Sequence, residues 1–404
     1  MSASPQLAPT AQKLILVVDD TPLNIGVISG ALKDTYKTKV ATNGEKALAL
    51  ASAEEKPDLI LLDIMMPGMD GYEVCSRLKA DPATSEIPVI FLTGQTSAED
   101  ETRGFEVGAV DYVHKPFSPA VVKARVRSHI LLREARAQLA AQLLALNNEL
   151  EMARQIQLSI LPHSIPQLPG LKIAARFLPM TSVAGDFYDF IQIDDKHIGI
   201  LVADVSGHGL PSALIASMLQ VALTGQGAHA SEPAKVLAGL NRALCGKFTH
   251  NFITAAYVYA DLEKNLMRYA GAGHPPVLQW RDSAGKTTQV LENGLILGMF
   301  EEARYEALEF PLEPGDRYVL YTDGVLEAAN SAQEQFGADR FMRFIESHMH
   351  LGADQFSQTF LTELSGWSNQ TSEQGQQDDI TLLVIDFMHR SNRCDHRDQT
   401  WSRQ

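Results

Sequence analysis

Residues 203–214, "ADVSGHGLPSAL", set an aspartate, a serine, a histidine and two glycines in one short loop behind the apolar run "IGILV". Three chemistries use such a loop: a serine nucleophile, a glycine-lined phosphate cradle, and one corner of a metal site. Ser206 sits in "DVSGHG", which is not the G-x-S-x-G elbow of serine hydrolases, and no lysine accompanies the glycines as it does in a P-loop. Further carboxylates stand at strand ends and turns: Asp186 in "VAGDFYDF", Asp323 in "YTDGV", and Asp378 with Asp379 in "QQDDITLLV". Scattered carboxylates call for hard divalent cations with oxygen ligands, and no cysteine or histidine cluster competes for zinc. A metal site is the favoured reading.

A second constellation lies nearer the start. Asp19 and Asp20 end "VVDD", Asp63 follows "LL", Thr93 ends "FLT", and Lys115 follows "DYVH". An aspartate pair alone serves equally well as a turn and helix cap. Three carboxylates in one pocket, however, repel each other unless a cation joins them. Mg2+ takes one or two carboxylates and keeps positions for water and a phosphoryl group, whose oxygens a lysine and a threonine would hold.

The elements that must position these groups divide the chain. From Leu14, short β-rich runs ("LILVV", "TKV", "LILL", "PVIFL", "DYVH") alternate with helical stretches, which predicts a doubly wound α/β domain over 13–130 with function at the carboxyl ends of its strands. Ser118 and Pro119 then make a helix start. No glycine or proline follows from Ala120 to Leu161, so the helix expected over 118–162 would reach roughly 60 Å if unbroken. Leu132, Leu139 and Leu146 recur every seven residues, with Leu143 and Leu150 between, while Arg136 and Gln157 interrupt the second row. That seam suits a parallel dimeric coiled coil, and a helix folded back on its own domains competes with it. Pro162, Pro166 and Pro169 end this helix, and 163–388 carries antiparallel and mixed strand patterns with helices near 211–223, 233–247 and 338–364. This reads as an α+β domain of two sheets with helices outside. The polar ends 1–12 and 389–404 are expected to be disordered.

Composition removes other classes. A formal net charge of −15 repels phosphate backbones, so direct nucleic-acid binding is not expected. Three cysteines far apart fit a reducing compartment without disulfide or zinc framework. No apolar run reaches the length of a membrane span and no leader pattern opens the chain, which predicts a cytoplasmic protein without membrane partners.

The first constellation resembles the receiver domains of two-component response regulators: "VVDD", "LLDIMMPGMDG", "FLTG" and "DYVHKPF" match in order, with 30 residues from Asp63 to Thr93 and 22 from Thr93 to Lys115. The resemblance implies that Asp63 accepts a phosphoryl group from a sensor histidine kinase or phosphotransfer protein. It further implies that Asp19, Asp20 and Asp63 hold Mg2+, that Lys115 pairs with the phosphate, and that Thr93 and Tyr112 form the switch pair. The plainer alternative for Tyr112 is a half-buried aromatic on an edge strand.

The second half is similar to the metal-dependent serine/threonine protein phosphatases (PPM) in their SpoIIE-like branch, through "ARQIQLSILP", "VAGDFYDF", "ADVSGHGLPSAL", "GAGHPP", "GDRYVLYTDGVLEA" and "QQDDITLLV". This implies a β-sandwich flanked by helices and two Mg2+ or Mn2+ ions. Asp204 would bridge the pair with the Val205 carbonyl, Asp323 and Asp378 would complete one ion, and Asp186 would support the other, partly through water. Asp204 and Asp186 are then the catalytic carboxylates. Ala184 departs from the family, many of whose members carry glycine there. His208 invites the role of general acid, with a structural role as the alternative. The implied reaction is in-line attack by water on a phosphoserine or phosphothreonine. The family suggests a client that antagonises an anti-sigma factor; the competing reading is a phosphorylation-gated adaptor that binds a sigma factor or similar client without turnover.

Overall fold

The computed structural model of the chain describes residues 12–94, 98–248, 250–368 and 378–388, with the backbone alone for 98–101. Apart from Gln12, the expected tails 1–12 and 389–404 lie outside the described residues. Two compact units divide between Ala145 and Leu146.

In the first unit, strands β1 (Leu14–Val18), β2 (Lys37–Ala41), β3 (Leu59–Asp63), β4 (Val89–Thr93) and β5 (Asp111–His114) alternate with helices α1 (Pro22–Leu32), α2 (Gly44–Ala51), α3 (Gly71–Ala80), α4 (Ala98–Glu106) and α5 (Pro119–Ile160). The strands form one parallel sheet in the order β2-β1-β3-β4-β5. Successive side chains of a strand point to opposite faces. Leu16, Val18, Ile60, Leu62 and Phe91 therefore pack in one core with α2 and α3, while Ile15, Val17, Leu61, Ile90 and Leu92 pack in another with α1 and α5. A sheet covered on both faces needs such continuous apolar strands. The strand order reverses at β1 and β3, and the crevice outside their carboxyl ends is where open sheets of this kind bind ligands.

Helix α5 runs unbroken for 42 residues. Its seam leucines Leu132, Leu139, Leu143 and Leu146 stand exposed, and between Ile130 and Leu161 the one buried side chain is Gln157.

The second unit holds β6 (Leu171–Leu178), β7 (Phe187–Gln192), β8 (His197–Val205), α6 (Leu210–Thr224), α7 (Pro233–Leu244), β9 (Ile253–Asp261), β10 (Leu266–Ala272), β11 (Val277–Arg281), β12 (Lys286–Val290), β13 (Asn293–Gly294), β14 (Leu308–Pro311), β15 (Arg317–Tyr321), α8 (Gly324–Glu327), α9 (Gly337–Ser347), α10 (Ala353–Trp367) and β16 (Ile380–Phe387). One sheet runs β13-β10-β9-β8-β7 with β14 beside β10, and the other runs β12-β11-β15-β16-β6. Period-two alternation again sorts the side chains. Leu383 and Ile385 of β16 join the core that includes β8, β9 and α6, whereas Leu382 and Val384 face the cluster under α9 and α10. The unit is thus a two-sheet sandwich with helices on its outer faces.

The helix expected near 338–364 is two helices. The chain turns at His348–Gly352 so that Phe341 and Phe344 of α9 and Phe356 and Phe360 of α10 meet in one aromatic cluster, which a single straight helix could not close. No helix among the described residues is long and apolar enough to cross a membrane.

Candidate functional site

In the first unit the sheet brings five predicted residues to one edge. Asp19 and Asp20 follow β1, Asp63 and Thr93 are the last residues of β3 and β4, and Lys115 follows β5. Asp19, Asp20 and Asp63 place carboxylate oxygens within 4.8 Å of one another, and no other three acidic, histidine or cysteine side chains do so among the described residues. Lys115 Nζ reaches Asp19 Oδ2 at 2.9 Å and Asp63 Oδ2 at 2.8 Å. Asp19 also accepts from Thr21 N and from the Asn24 amide. Burial pushes the Asp63 carboxyl above its usual range against the pull of Lys115. Burial disfavours the Lys115 charge too, but its hydrogen bonds to both carboxylates hold its pKa above the usual lysine value. Gly71 fixes the start of α3 over Asp63, since a Cβ there would lie 2.3 Å from the Asp63 carbonyl oxygen. Tyr112 is half-buried on the edge strand β5, with edge contacts to Phe105 and His114 at 5.6 and 5.3 Å between ring centres.

The second unit gathers its carboxylates at the ends of strands from both sheets. Asp204 is the penultimate residue of β8, Asp186 precedes β7, Asp323 stands between β15 and α8 at the helix N-terminus, and Asp378 precedes β16. Burial together with the charges of Asp323, Asp378, Asp379 and Glu327 pushes the Asp204 carboxyl up to about 8. Burial and the Asp204 charge raise Asp186 well above the carboxylate range. Asp323 and Asp378 are also raised, by burial and, for Asp323, by Asp378. Asp186 and Asp379 are buried and Asp204, Asp323 and Asp378 half-buried, and like charges gathered this closely mark a candidate functional site that a cation would relieve. The four carboxylates do not close around one point as the receiver trio does, so no single ion here would take three of them.

Close backbone approach holds this centre together. A Cβ on Gly185 would stand 2.7 Å from the Val205 carbonyl oxygen, and one on Gly324 would stand 2.0 Å from the Asp379 carbonyl oxygen. Gly207 and Gly209 have φ of 88° and 81°, a region that favours glycine. Ser206 is structural: its hydroxyl accepts from Phe252 N at 2.9 Å, and its carbonyl from the Asn251 amide. His208 is exposed, near enough to Asp378 and Asp379 for its positive form to favour their ionisation.

Sequence reasoning overlooked several partners. Thr322 and Thr381 donate their hydroxyls to Asp186 Oδ2 at 2.7 and 2.6 Å. Asp379 accepts from Met180 N and Gly185 N at 2.7 and 2.6 Å, which pins the loop before Asp186. Gln157, read as a break in a leucine row, donates to Ala184 O at 2.6 Å and accepts from Ala184 N at 2.9 Å. Ala184 is fully buried in that contact. The doubled aspartate at 378–379 was visible in sequence; the threonines and the glutamine carried no local signal.

Comparison with known proteins agrees with this division. Residues 15–127 match the response regulator receiver domain, and residues 194–388 match Stage II sporulation protein E (SpoIIE). The chain is 30% identical over 241 residues to the phosphoserine phosphatase RsbU of Bacillus subtilis, covering 59% of this chain and 70% of that protein. It is 51% identical over 120 residues to a probable cyclic di-GMP phosphodiesterase of Vibrio cholerae, covering 30% of this chain but only 27% of that relative's length. Among solved structures, the SiaA-PP2C domain of Pseudomonas aeruginosa aligns at 25% identity with a TM-score of 0.55, covering 61% of this chain and 99% of that one.

Proposed function

Because this chain belongs to the RsbU-like, SpoIIE-type PPM phosphatases and carries a response-regulator receiver domain in front, we propose that phosphorylation of Asp63 controls metal-dependent hydrolysis of a phosphoserine or phosphothreonine in a protein client. The observation that carries this reading is the acidic centre around Asp204, where neighbouring carboxylates from both sheets repel one another and bound cations would relieve the repulsion.

In the receiver, Asp63 Oδ attacks the phosphorus of a phosphohistidine on a sensor kinase or phosphotransfer protein, and the phosphoryl group passes from nitrogen to carboxylate oxygen. Asp19, Asp20 and Asp63 would hold Mg2+. Lys115, already bonded to Asp63, shifts onto a phosphoryl oxygen, and the Thr93 hydroxyl and Tyr112 ring follow. In the phosphatase unit, Asp204, the Val205 carbonyl, Asp323, Asp378 and Asp186 would hold the two ions, and the Thr322 and Thr381 hydroxyls orient the Asp186 carboxylate through its Oδ2. Two bound Mg2+ or Mn2+ ions supply a water of lowered pKa and screen the phosphate charge. Asp204 and Asp186 would be the carboxylates that position water for in-line attack, a route that needs no covalent enzyme intermediate. The client proposed is an antagonist of an anti-sigma factor, and the exposed leucine seam of α5 is proposed to pair two copies of the chain.

The test is Mn2+-dependent hydrolysis of p-nitrophenyl phosphate by the wild type, Asp204→Asn and Asp63→Asn, with and without acetyl phosphate. Turnover that Asp204→Asn abolishes, and that acetyl phosphate changes only when Asp63 is present, supports the reading. Equal inactivity of the wild type and Asp204→Asn would instead favour a client-binding adaptor without turnover.

A further inference from the structure

Gln157 is an odd residue for its place. It lies on the one stretch of α5 that belongs to the second unit, it is 6% exposed, and its neighbours on the helix from Leu146 to Ile160 are exposed or half-buried. A helix that merely rests on a domain uses apolar contacts, which tolerate sliding and rotation. This helix uses one amide whose donor and acceptor both engage the same residue, Ala184, through its carbonyl and its N–H. Such a pair fixes both the rotation and the register of the helix, because Gln157 is buried against one backbone residue while the amide of Gln155, two positions away on α5, is exposed.

What the amide holds is the loop that leads into Asp186. The next residue, Gly185, bonds to Asp379 and packs its Cα against the Val205 carbonyl, and Asp186 follows directly. The loop is thus pinned from two sides, by α5 through Gln157 and by the start of β16 through Asp379. Release of the first pin would leave Ala184 with two buried backbone groups unpaired, and the loop would have to move to recover them. Any such movement alters the gap between Asp186, the Val205 carbonyl and Asp204.

We infer that Gln157 is a positioning residue: its amide clamp on Ala184 sets the spacing of the oxygen ligands at the acidic centre, and α5 acts on that centre through this clamp. The inference rests on the proposed function for its metal ions and its reaction, but ligand spacing can be read without turnover.

The experiment uses the full chain as wild type, Gln157→Met and Gln157→Ala. Methionine keeps the length and packing of the side chain while removing both hydrogen bonds; alanine also removes the packing. Mn2+ binding is followed by the electron paramagnetic resonance of free Mn2+, with Asp204→Asn marking binding outside the phosphatase centre, and hydrolysis of p-nitrophenyl phosphate is measured across Mn2+ concentrations. The clamp predicts that both variants bind Mn2+ at the Asp204-dependent sites at least about tenfold more weakly, the size seen when groups that orient metal ligands are lost, with turnover at saturating Mn2+ within about threefold of wild type. It further predicts that acetyl phosphate no longer changes Mn2+ affinity in Gln157→Met. Wild-type affinity in Gln157→Met would overturn the positioning role, and so would a loss of turnover and melting temperature at unchanged affinity, which marks a merely structural residue. A response to acetyl phosphate that survives in Gln157→Met would overturn the transmission role. A wild type that binds Mn2+ but hydrolyses nothing would count against the proposed function and leave the affinity comparison to decide the clamp.

Discussion

Asp204 illustrates how a site is built from unfavourable contacts. Its carboxyl rises to about 8 because the chain buries it beside four other acidic groups. Below that pH the metal-free carboxyl keeps its proton, which an incoming cation must displace. Mn2+ binding is therefore expected to release protons and to strengthen by up to about tenfold per pH unit between pH 6 and 8. Titration calorimetry in two buffers of different ionisation enthalpy would read the proton directly, and Asp204→Asn should lose the effect. Asp186 depends on its hydroxyl donors in the same way. Thr322 both donates to Asp186 and accepts from Thr381 N, so Thr322→Val leaves a buried N–H unpaired, whereas Thr381→Val removes only a donor. Urea unfolding should show Thr322→Val less stable by about 1–3 kcal/mol, and Thr381→Val less affected.

At the scale of elements, the proposed ligands are carried by strand ends that backbone contacts hold in register. The first turn of α8 sits so near the turn before β16 that a Cβ on Gly324 would overlap the Asp379 carbonyl oxygen and come within 3.3 Å of Asp378 Cβ. Gly324→Ala is expected to push Asp323 and Asp378 apart, to cost about 1–3 kcal/mol as overpacking does, and to lower phosphatase turnover more than tenfold. Gly366, in α10, has open space around its Cβ position. Gly366→Ala should leave turnover unchanged and raise stability by about 0.5–1 kcal/mol through helix propensity, which makes it the matched control in thermal unfolding and hydrolysis assays. The same scale explains the break between α9 and α10: the aromatic cluster repays a turn that the helical pattern of 338–364 does not announce.

For the whole molecule, the acidic centre of the proposed metal site is expected to make stability depend on pH and on added metal. The metal-free fold keeps a proton on Asp204 that the unfolded chain, with an ordinary carboxylate, gives up from about pH 4 upward. The folded state thus binds more protons across the window from about 4 to 8, and metal-free stability falls as pH rises through it. Bound cations would remove that penalty. The increase in melting temperature on adding Mn2+ is accordingly expected to be larger at pH 8 than at pH 6, and smaller at both in Asp204→Asn; scanning calorimetry with chelator-treated protein checks it. An increment independent of pH would mean that the ions bind elsewhere.

The sequence by itself determined the architecture and the neighbourhood of the chemistry, because both are written locally. Continuous apolar runs such as "LILVV" and "LILL" specify strands of a sheet covered on both faces, period two in "ITLLVIDF" sorts residues between two cores, and Asp63, Asp204 and Asp323 are marked by standing where such runs end. Only the tertiary structure decided which groups support them. Thr381 meets Asp186 across 195 positions and Gln157 meets Ala184 across 27. A hydrogen bond between residues so distant leaves no trace in the composition or periodicity around either one. Gln157 in particular breaks a leucine repeat when read along its own helix, and becomes intelligible once the loop before Asp186 folds against it, where two buried backbone groups need an amide that can both donate and accept.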